Sequence, residues 1–146
     1  MLVYPDITIE ANGNKVAIKA RRFTKKEKKI VGSFKAHIRN MVKGANEGCI
    51  YKLKICSGHF PINVSVDGSK FVIKNFLGEK IPRVLKIKPG AAVKVEGDIV
   101  TVEGLDKDLT SQVAADIELL TRRASYDSRV FQDGIFIINK NGKEIK

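Results

Sequence analysis

Apolar and polar residues alternate through "ITIEANGNKVAI" at residues 7–18, on either side of Asn12-Gly13. A period of two around a turn-forming Asn-Gly pair predicts a β-hairpin. The pattern then changes. In "TKKEKKIVGSFKAHIRNMVKGANEG" the apolar residues Ile30, Phe34, Ile38 and Met41 recur at helical spacing, and the other faces are mostly Lys and Arg. This predicts an amphipathic helix from about Lys25 to Lys43 that stops near Gly44.

Period two then returns. "CIYKLKICS" predicts one strand, and "INVSVDGSKFVIK" predicts a hairpin turning at Asp67-Gly68. "VLKIK" predicts a further strand, and "AVKVEGDIVTVE" a hairpin turning at Gly97-Asp98. "DKDLTSQVAADIELLTRRA" sets Leu109, Val113, Ile117 and Leu120 on one helical face. Asp106 or Asp108 can cap its start, and Arg122 and Arg123 sit near its end, where cations suit the helix dipole. A last strand, "GIFIINK", meets Asn141-Gly142 and a basic tail. Two runs repeat one plan: a short hairpin of the form V/I-x-V/I-E that feeds an amphipathic helix. The predicted fold class is therefore α+β, with two related small domains, each an antiparallel-rich sheet packed with one helix. The first domain, residues 1–48, begins almost at its hairpin and is expected to be incomplete. The second, residues 49–146, holds the remaining strands and the basic tail.

Composition adds a partner to this picture. Among 146 residues 43% are apolar, enough for a core, while the lack of tryptophan and the scarcity of aromatics argue against an extended base-stacking platform. Lys and Arg number 27 against 16 Asp and Glu, a net charge of +11, which points to a polyanion, nucleic acid ahead of an anionic membrane. The charge is uneven. Residues 15–43 hold eleven basic residues and one acid, Glu27; residues 44–146 hold 16 basic and 13 acidic ones. Within the second region, Lys74–Lys94 is basic and Asp98–Glu118 acidic, so that domain should have a positive and a negative side. Nothing reads as a transmembrane span or a signal peptide. Cys49 and Cys56, on or beside one predicted strand, read as reduced packing residues and are too sparse for a metal site.

Catalytic chemistry is hard to find. His37 lies in the basic helix and His59 opens "HFPINV" at a strand start, and neither has a nucleophile or metal-ligand spacing beside it. Each reads better as a hydrogen-bonding or packing residue. The glycines form neither a P-loop nor a dinucleotide fingerprint. The expectation is a protein without catalytic residues, metal, cofactor or small-molecule substrate.

Two segments ask for more than a scaffold role. "NFLGEKIPR", residues 75–83, places Phe76 and Leu77 before Gly78, then Lys80, Pro82 and Arg83. A stiff loop projecting Lys80 and Arg83, with Lys86 on the next strand, suits phosphate contacts, which position a protein on RNA without reading sequence. Phe76 and Leu77 either pack beneath the loop or rest on a ribose or base. "SRVFQDGIFIINKNGKEIK" sets Arg129 before an aromatic and an Asp-Gly pair and ends with Lys140, Lys143 and Lys146.

Together "AHIRNMVKGANEGCIYKLKICSGHFPINV", "IKNFLGEKIPR" and "RVFQDGIFI" resemble the large-subunit ribosomal protein family called L-six in bacteria and L-nine in eukaryotes, in its archaeal and eukaryotic type. The match runs in order from about Ile7 to Ile138. Its most specific piece is R-x-F-x-D-G-I, formed by Arg129, Phe131, Asp133, Gly134 and Ile135, with Gln112 in the preceding helix. The resemblance implies two related α+β domains and a structural place in the large ribosomal subunit. It implies binding to ribosomal RNA beside the sarcin–ricin region at the base of the factor-binding stalk, near ribosomal-protein neighbours and translational GTPases, in the cytoplasm and away from membranes. Carried over by segment, the RNA contacts are Asn75, Gly78, Lys80, Arg83 and Lys86 from one loop and its strand. Arg122, Arg123, Arg129, Lys140, Lys143 and Lys146 come from the end of the chain. Three departures accompany it. Relatives usually have a further strand pair ahead of "DITIEANGNKVAI", where this chain starts with Met1. "IPRV" has one arginine where two basic residues are frequent. Phe136 stands where tyrosine is common, with loss of a hydroxyl. A free RNA-binding module, acting in regulation or as an RNA chaperone, shares the same charge and is the alternative.

Overall fold

The computed structural model describes residues 4–22, 24–127 and 129–145. The order is β1 (Ile7–Asn12), β2 (Lys15–Ala20), α1 (Lys25–Glu47), β3 (Cys49–Cys56), β4 (Asn63–Asp67), β5 (Lys70–Lys74), a 3-10 turn (Phe76–Gly78), β6 (Arg83–Lys86), β7 (Ala91–Glu96), β8 (Ile99–Gly104), α2 (Lys107–Leu120), β9 (Gly134–Lys140) and β10 (Lys143–Glu144). The architecture is α+β with antiparallel pairing throughout. The chain divides into two compact units, Met1–Lys43 and Gly44–Lys146.

In the first unit β1 and β2 pair antiparallel with Asn12 opposite Lys15, so the hairpin is as expected but its two turn residues are Gly13 and Asn14, one position past Asn12-Gly13. A capping box starts α1: the Thr24 hydroxyl accepts from the Lys26 N–H, and the Glu27 carboxylate takes the Thr24 N–H and hydroxyl. Those hydrogen bonds, led by the Thr24 hydroxyl, hold the Glu27 carboxyl below its ordinary pKa. Among the described residues of this unit Ile7 and Phe34 are the buried apolar side chains.

The second unit has a five-stranded sheet, β10-β9-β3-β8-β7, and a three-stranded sheet, β4-β5-β6. Strand β3 alternates strictly, burying Cys49, Tyr51, Leu53 and Ile55. The core partners of Tyr51, Leu53 and Ile55 are Val100 and Val102 of β8, Ile135 of β9, Phe71 and Ile73 of β5, and Val113, Ala114 and Ile117 of α2. The face that α2 buries is turned slightly from the expected one. Thr110 is fully buried and Leu109 half-buried, and the Thr110 hydroxyl is satisfied there by donating to the Asp106 carbonyl at 2.6 Å. Asp106 caps α2, accepting from the Asp108 N–H at 2.9 Å. Both cysteines are free thiols, Cys49 buried and Cys56 half-buried.

The stop expected near Gly44 is one turn early. α1 continues to Glu47 and ends where Gly48 adopts φ +73°, its N–H donating to the Gly44 carbonyl at 2.9 Å. Gly44 is inside the helix because a Cβ there would run into the Leu105 carbonyl in the β8–α2 connection. Gly44→Ala should therefore destabilise the second unit by about 1–3 kcal/mol through overpacking. Helix propensity alone predicts a gain of about 1 kcal/mol. Urea unfolding reads the sign directly, and a stabilised variant would remove the close-approach explanation.

Candidate nucleic-acid interface

The loop at residues 75–83 is built on unusual backbone. Asn75 (φ 60°), Leu77 (φ 47°) and Gly78 (φ 76°) are all left-handed. Glycine adopts this freely, asparagine tolerates it, and leucine does so at a cost. The Asn75 Nδ2 donates to the Pro61 carbonyl at 3.0 Å, tying the turn to the segment before β4. Phe76 is the anchor, 1% exposed, with the Arg83 guanidinium 4.4 Å from its ring centroid. It belongs to the core, so of the two placements open to it the inner one is observed.

Arg83 does not project as the loop sequence suggested. Its Nε and Nη2 donate to the Glu79 carboxylate at 2.8 and 2.7 Å, and its Nη1 donates to the Leu120 carbonyl at 2.6 Å. The Leu120 carbonyl belongs to the last turn of α2, where carbonyls lack helical partners. Arg83 thus ties the loop to that helix end. Its hydrogen bonds hold the Glu79 carboxyl below its ordinary value, against partial burial. Lys80 and Lys86 are exposed and carry no ion pair among the described residues.

The other half of the site follows α2, which ends at Leu120 with Thr121 as its cap. Arg122 and Arg123 therefore lie beyond the helix, Arg122 exposed and Arg123 half-buried. The Arg123 guanidinium lies 4.2 Å from the Tyr126 ring centroid, and that ring meets Phe131 edge-on at 5.0 Å. Phe131 in turn lies 5.2 Å from the His59 ring. Arg129 is exposed but already holds Asp127, with Nη2 donating at 2.9 Å. That contact, first through the arginine side chain, keeps the Asp127 carboxyl below its usual value.

Asp133 locks two segments together. Its side chain is 1% exposed. It accepts from the Gly58 N–H at 2.6 Å and the His59 N–H at 3.0 Å, and its second oxygen lies 2.5 Å from His59 Nδ1. Burial works to raise its pKa, but the His59 backbone and ring and the Gly58 N–H outweigh it, so the carboxyl sits below its ordinary value. His59 is thus a hydrogen-bonding residue, as expected. The R-x-F-x-D-G-I spacing acquires a physical account: Phe131 packs on His59, Asp133 fastens "GHFP", and Ile135 enters the core. The Ile135 N–H donates to the Thr121 hydroxyl at 3.0 Å.

These segments enclose a cleft of about 480 Å³ lined by Leu77, Arg122, Arg123, Tyr126, Phe131 and Phe136, among others. Tyr126, Phe131 and Phe136 are 44%, 37% and 44% exposed, half-open rings beside cationic side chains. The structure thus brings the loop at 75–83, through Phe76, Leu77 and Glu79, to Arg122 and Arg123, with Glu79 3.9 Å from the Arg123 guanidinium. It does not bring all the candidates together. Lys140 lies at the far end of β9 from Gly134, about 20 Å along the strand, and faces Lys143 across the pair with β10. Lys86 faces Lys70 at the other end of β6. Lys146 lies outside the described residues. Tyr126, Phe136 and His59 were not candidates, since nothing local marks three separated aromatics as neighbours. Among the described residues no three His, Cys, Asp or Glu side chains could hold a metal ion together. None of the described helices is long and apolar enough to cross a membrane.

A family profile described as "Ribosomal protein L6" matches residues 60–134. The Large ribosomal subunit protein uL6 of Methanococcus vannielii is 44% identical over 142 residues, 97% of this chain and 78% of that relative.

Proposed function

Since the chain belongs to the ribosomal protein L6 family, structural RNA-binding constituents of the large ribosomal subunit, we propose that its second unit lies against ribosomal RNA through the end that carries the aromatic cleft. Lys80 and Arg122 neutralise phosphates there, beside Arg123, which is already held by Glu79 at 3.9 Å and by the Tyr126 ring, with Lys86, Lys140 and Lys143 contacting further backbone along the two sheets. Asn75 and Gly78 shape the turn that presents Lys80. The open rings of Tyr126, Phe131 and Phe136 offer faces to a ribose or an unstacked base. Arg83 and Arg129, already paired with Glu79 and Asp127, hold the two loops in shape for the RNA. The RNA is the sarcin–ricin region at the stalk base, in the cytoplasmic large subunit, beside ribosomal-protein neighbours. There the protein supports the landing site of translational GTPases, whose chemistry stays with the factors.

The observation that carries this reading is the gathering of exposed Arg122, half-buried Arg123 and half-open aromatic rings about one cleft, between a loop fixed by left-handed backbone and a segment fastened by a buried carboxylate. Fixed loops suit folded RNA, which is recognised largely by shape. The test is sedimentation of a lysate through high-salt sucrose, followed by binding to deproteinised large-subunit RNA at several KCl concentrations. The chain is expected with the large subunit. Lys80→Gln, Lys86→Gln and Arg122→Gln together should lower the salt slope of RNA binding by about 3, one for each phosphate no longer neutralised. A chain left at the top of the gradient would replace the ribosomal role with a free RNA-binding module.

A further inference from the structure

We infer that one face of α1 is a second RNA-backbone contact, formed by the first unit independently of the cleft; this rests on the ribosomal reading. At about 100° per residue, Lys25, Lys28, Lys35 and Arg39 fall within a sector of about 80° and extend over about 21 Å of helix. All four are exposed and have no ion pair among the described residues. Lys26 is excluded, because its ammonium lies 5.8 Å from the Tyr4 ring centroid. Between the four cations the same side carries Gly32 and Ala36, both exposed, and a Cβ at Gly32 would meet nothing within 4 Å. The face is therefore flat between its charges and open to close approach.

The distribution is poor for the helix itself. Four lysines, Lys25, Lys26, Lys28 and Lys29, crowd its positive N-terminal end against Glu27, and its last turn has no basic residue. Cations stabilise the opposite end. Local rules are broken in this way where function needs the charge.

The chemistry selects the partner. A membrane-surface helix sets apolar side chains beside its cations along its length; here Ile30, Phe34 and Ile38 point to the other side with Phe34 buried, and exposed Val42 borders the stripe only beyond its end at Arg39. Protein interfaces favour Arg and aromatic rings and are depleted in Lys. A stripe of three lysines and one arginine over small residues suits phosphates, which ask for charge without fixed geometry.

The experiment measures binding of the full chain to deproteinised large-subunit RNA against KCl concentration. It compares Lys28→Gln/Lys35→Gln/Arg39→Gln with the cleft-side variant Lys80→Gln/Lys86→Gln/Arg122→Gln. Glutamine matches lysine in helix propensity, and far-UV circular dichroism verifies α1. The α1 variant should bind roughly 10- to 100-fold more weakly near 0.1 M salt, with a salt slope smaller by about 3. Lys28→Arg/Lys35→Arg should keep the native slope. An unchanged slope in the α1 variant, with a reduced one in the cleft variant, overturns this inference and leaves the ribosomal reading intact. Loss of binding to phosphatidylserine vesicles instead of RNA overturns it in favour of a membrane surface. A native chain that does not bind the RNA at all overturns both readings together.

Discussion

Asp133→Ala is expected to lower the stability of the second unit by about 3 kcal/mol, since it leaves two backbone donors without a partner. Those donors are the N–H groups of Gly58 and His59, and the His59 ring loses the same carboxylate. His59 is partly exposed, with 44% of its side chain open, so water replaces some of what the ring loses and the penalty rests chiefly on the backbone donors. The effect carries a pH signature. The Asp133 carboxyl sits below its ordinary value in the folded chain, so its contribution is complete above the unfolded carboxylate range and is lost as pH falls through the folded value. The native chain should therefore lose stability on acidification more steeply than Asp133→Ala, and the gap between them should close in acid. Asp133→Asn, which keeps one acceptor, should recover part of the loss at neutral pH. Urea unfolding from neutral to acid pH, with the His59 ring followed by NMR, gives each quantity. Equal stabilities at neutral pH, or parallel acid limbs, would reduce Asp133 to a spectator.

What the residue pattern reveals and what it conceals divide by range. Hairpins are readable because alternation and a two-residue turn lie within one short window, as at Gly97-Asp98; at the β4–β5 hairpin Asp67 pairs with Lys70, so the turn is Gly68-Ser69, one residue past Asp67-Gly68. The hairpin-then-helix repeat is readable for the same reason. The stop of α1 escapes a local reading because two glycines four residues apart look alike. Gly44 answers to Leu105, far along the chain, while Gly48 answers only to its own φ. Arg83 looks like a projecting side chain because its nearest acid, Glu79, suggests only a loose surface pair. Its other hydrogen-bond partner, the Leu120 carbonyl, is 37 residues away. The segregation of basic and acidic segments is visible, yet part of it is spent internally, as Lys88 meets Asp116 at 2.9 Å. The aromatic cleft is the least legible feature. His59 is held beside Phe131 where Asp133 fastens the segment at 58–59, and a buried carboxylate has no one-dimensional signature apart from its place in a family motif.

Phe76→Ala is expected to have the largest single effect in the loop that joins β5 to β6, about 3–5 kcal/mol from reduced burial and the cavity left behind. Phe76 is 1% exposed and packs in the same core as Phe71 and Ile73. Its ring also supports the Arg83 guanidinium at 4.4 Å, and that guanidinium joins the turn to the end of α2. Removing the ring should thus loosen the support of a turn whose left-handed residues at 75, 77 and 78 hold Lys80 in place. Lys80→Gln removes only an exposed charge, so it should leave the unfolding midpoint unchanged while reducing the salt slope of RNA binding by about 1. The two substitutions separate support from contact within one short loop. Phe76→Ala should weaken RNA binding with little change in slope, because the phosphate contacts remain but are poorly placed; Phe76→Leu should restore most of both. Equilibrium unfolding and RNA titrations over a range of salt concentrations would resolve the pair. A Phe76→Ala chain that unfolds like the native one, yet binds RNA more weakly, would mean that the ring reaches the RNA itself and that the turn opens to let it do so.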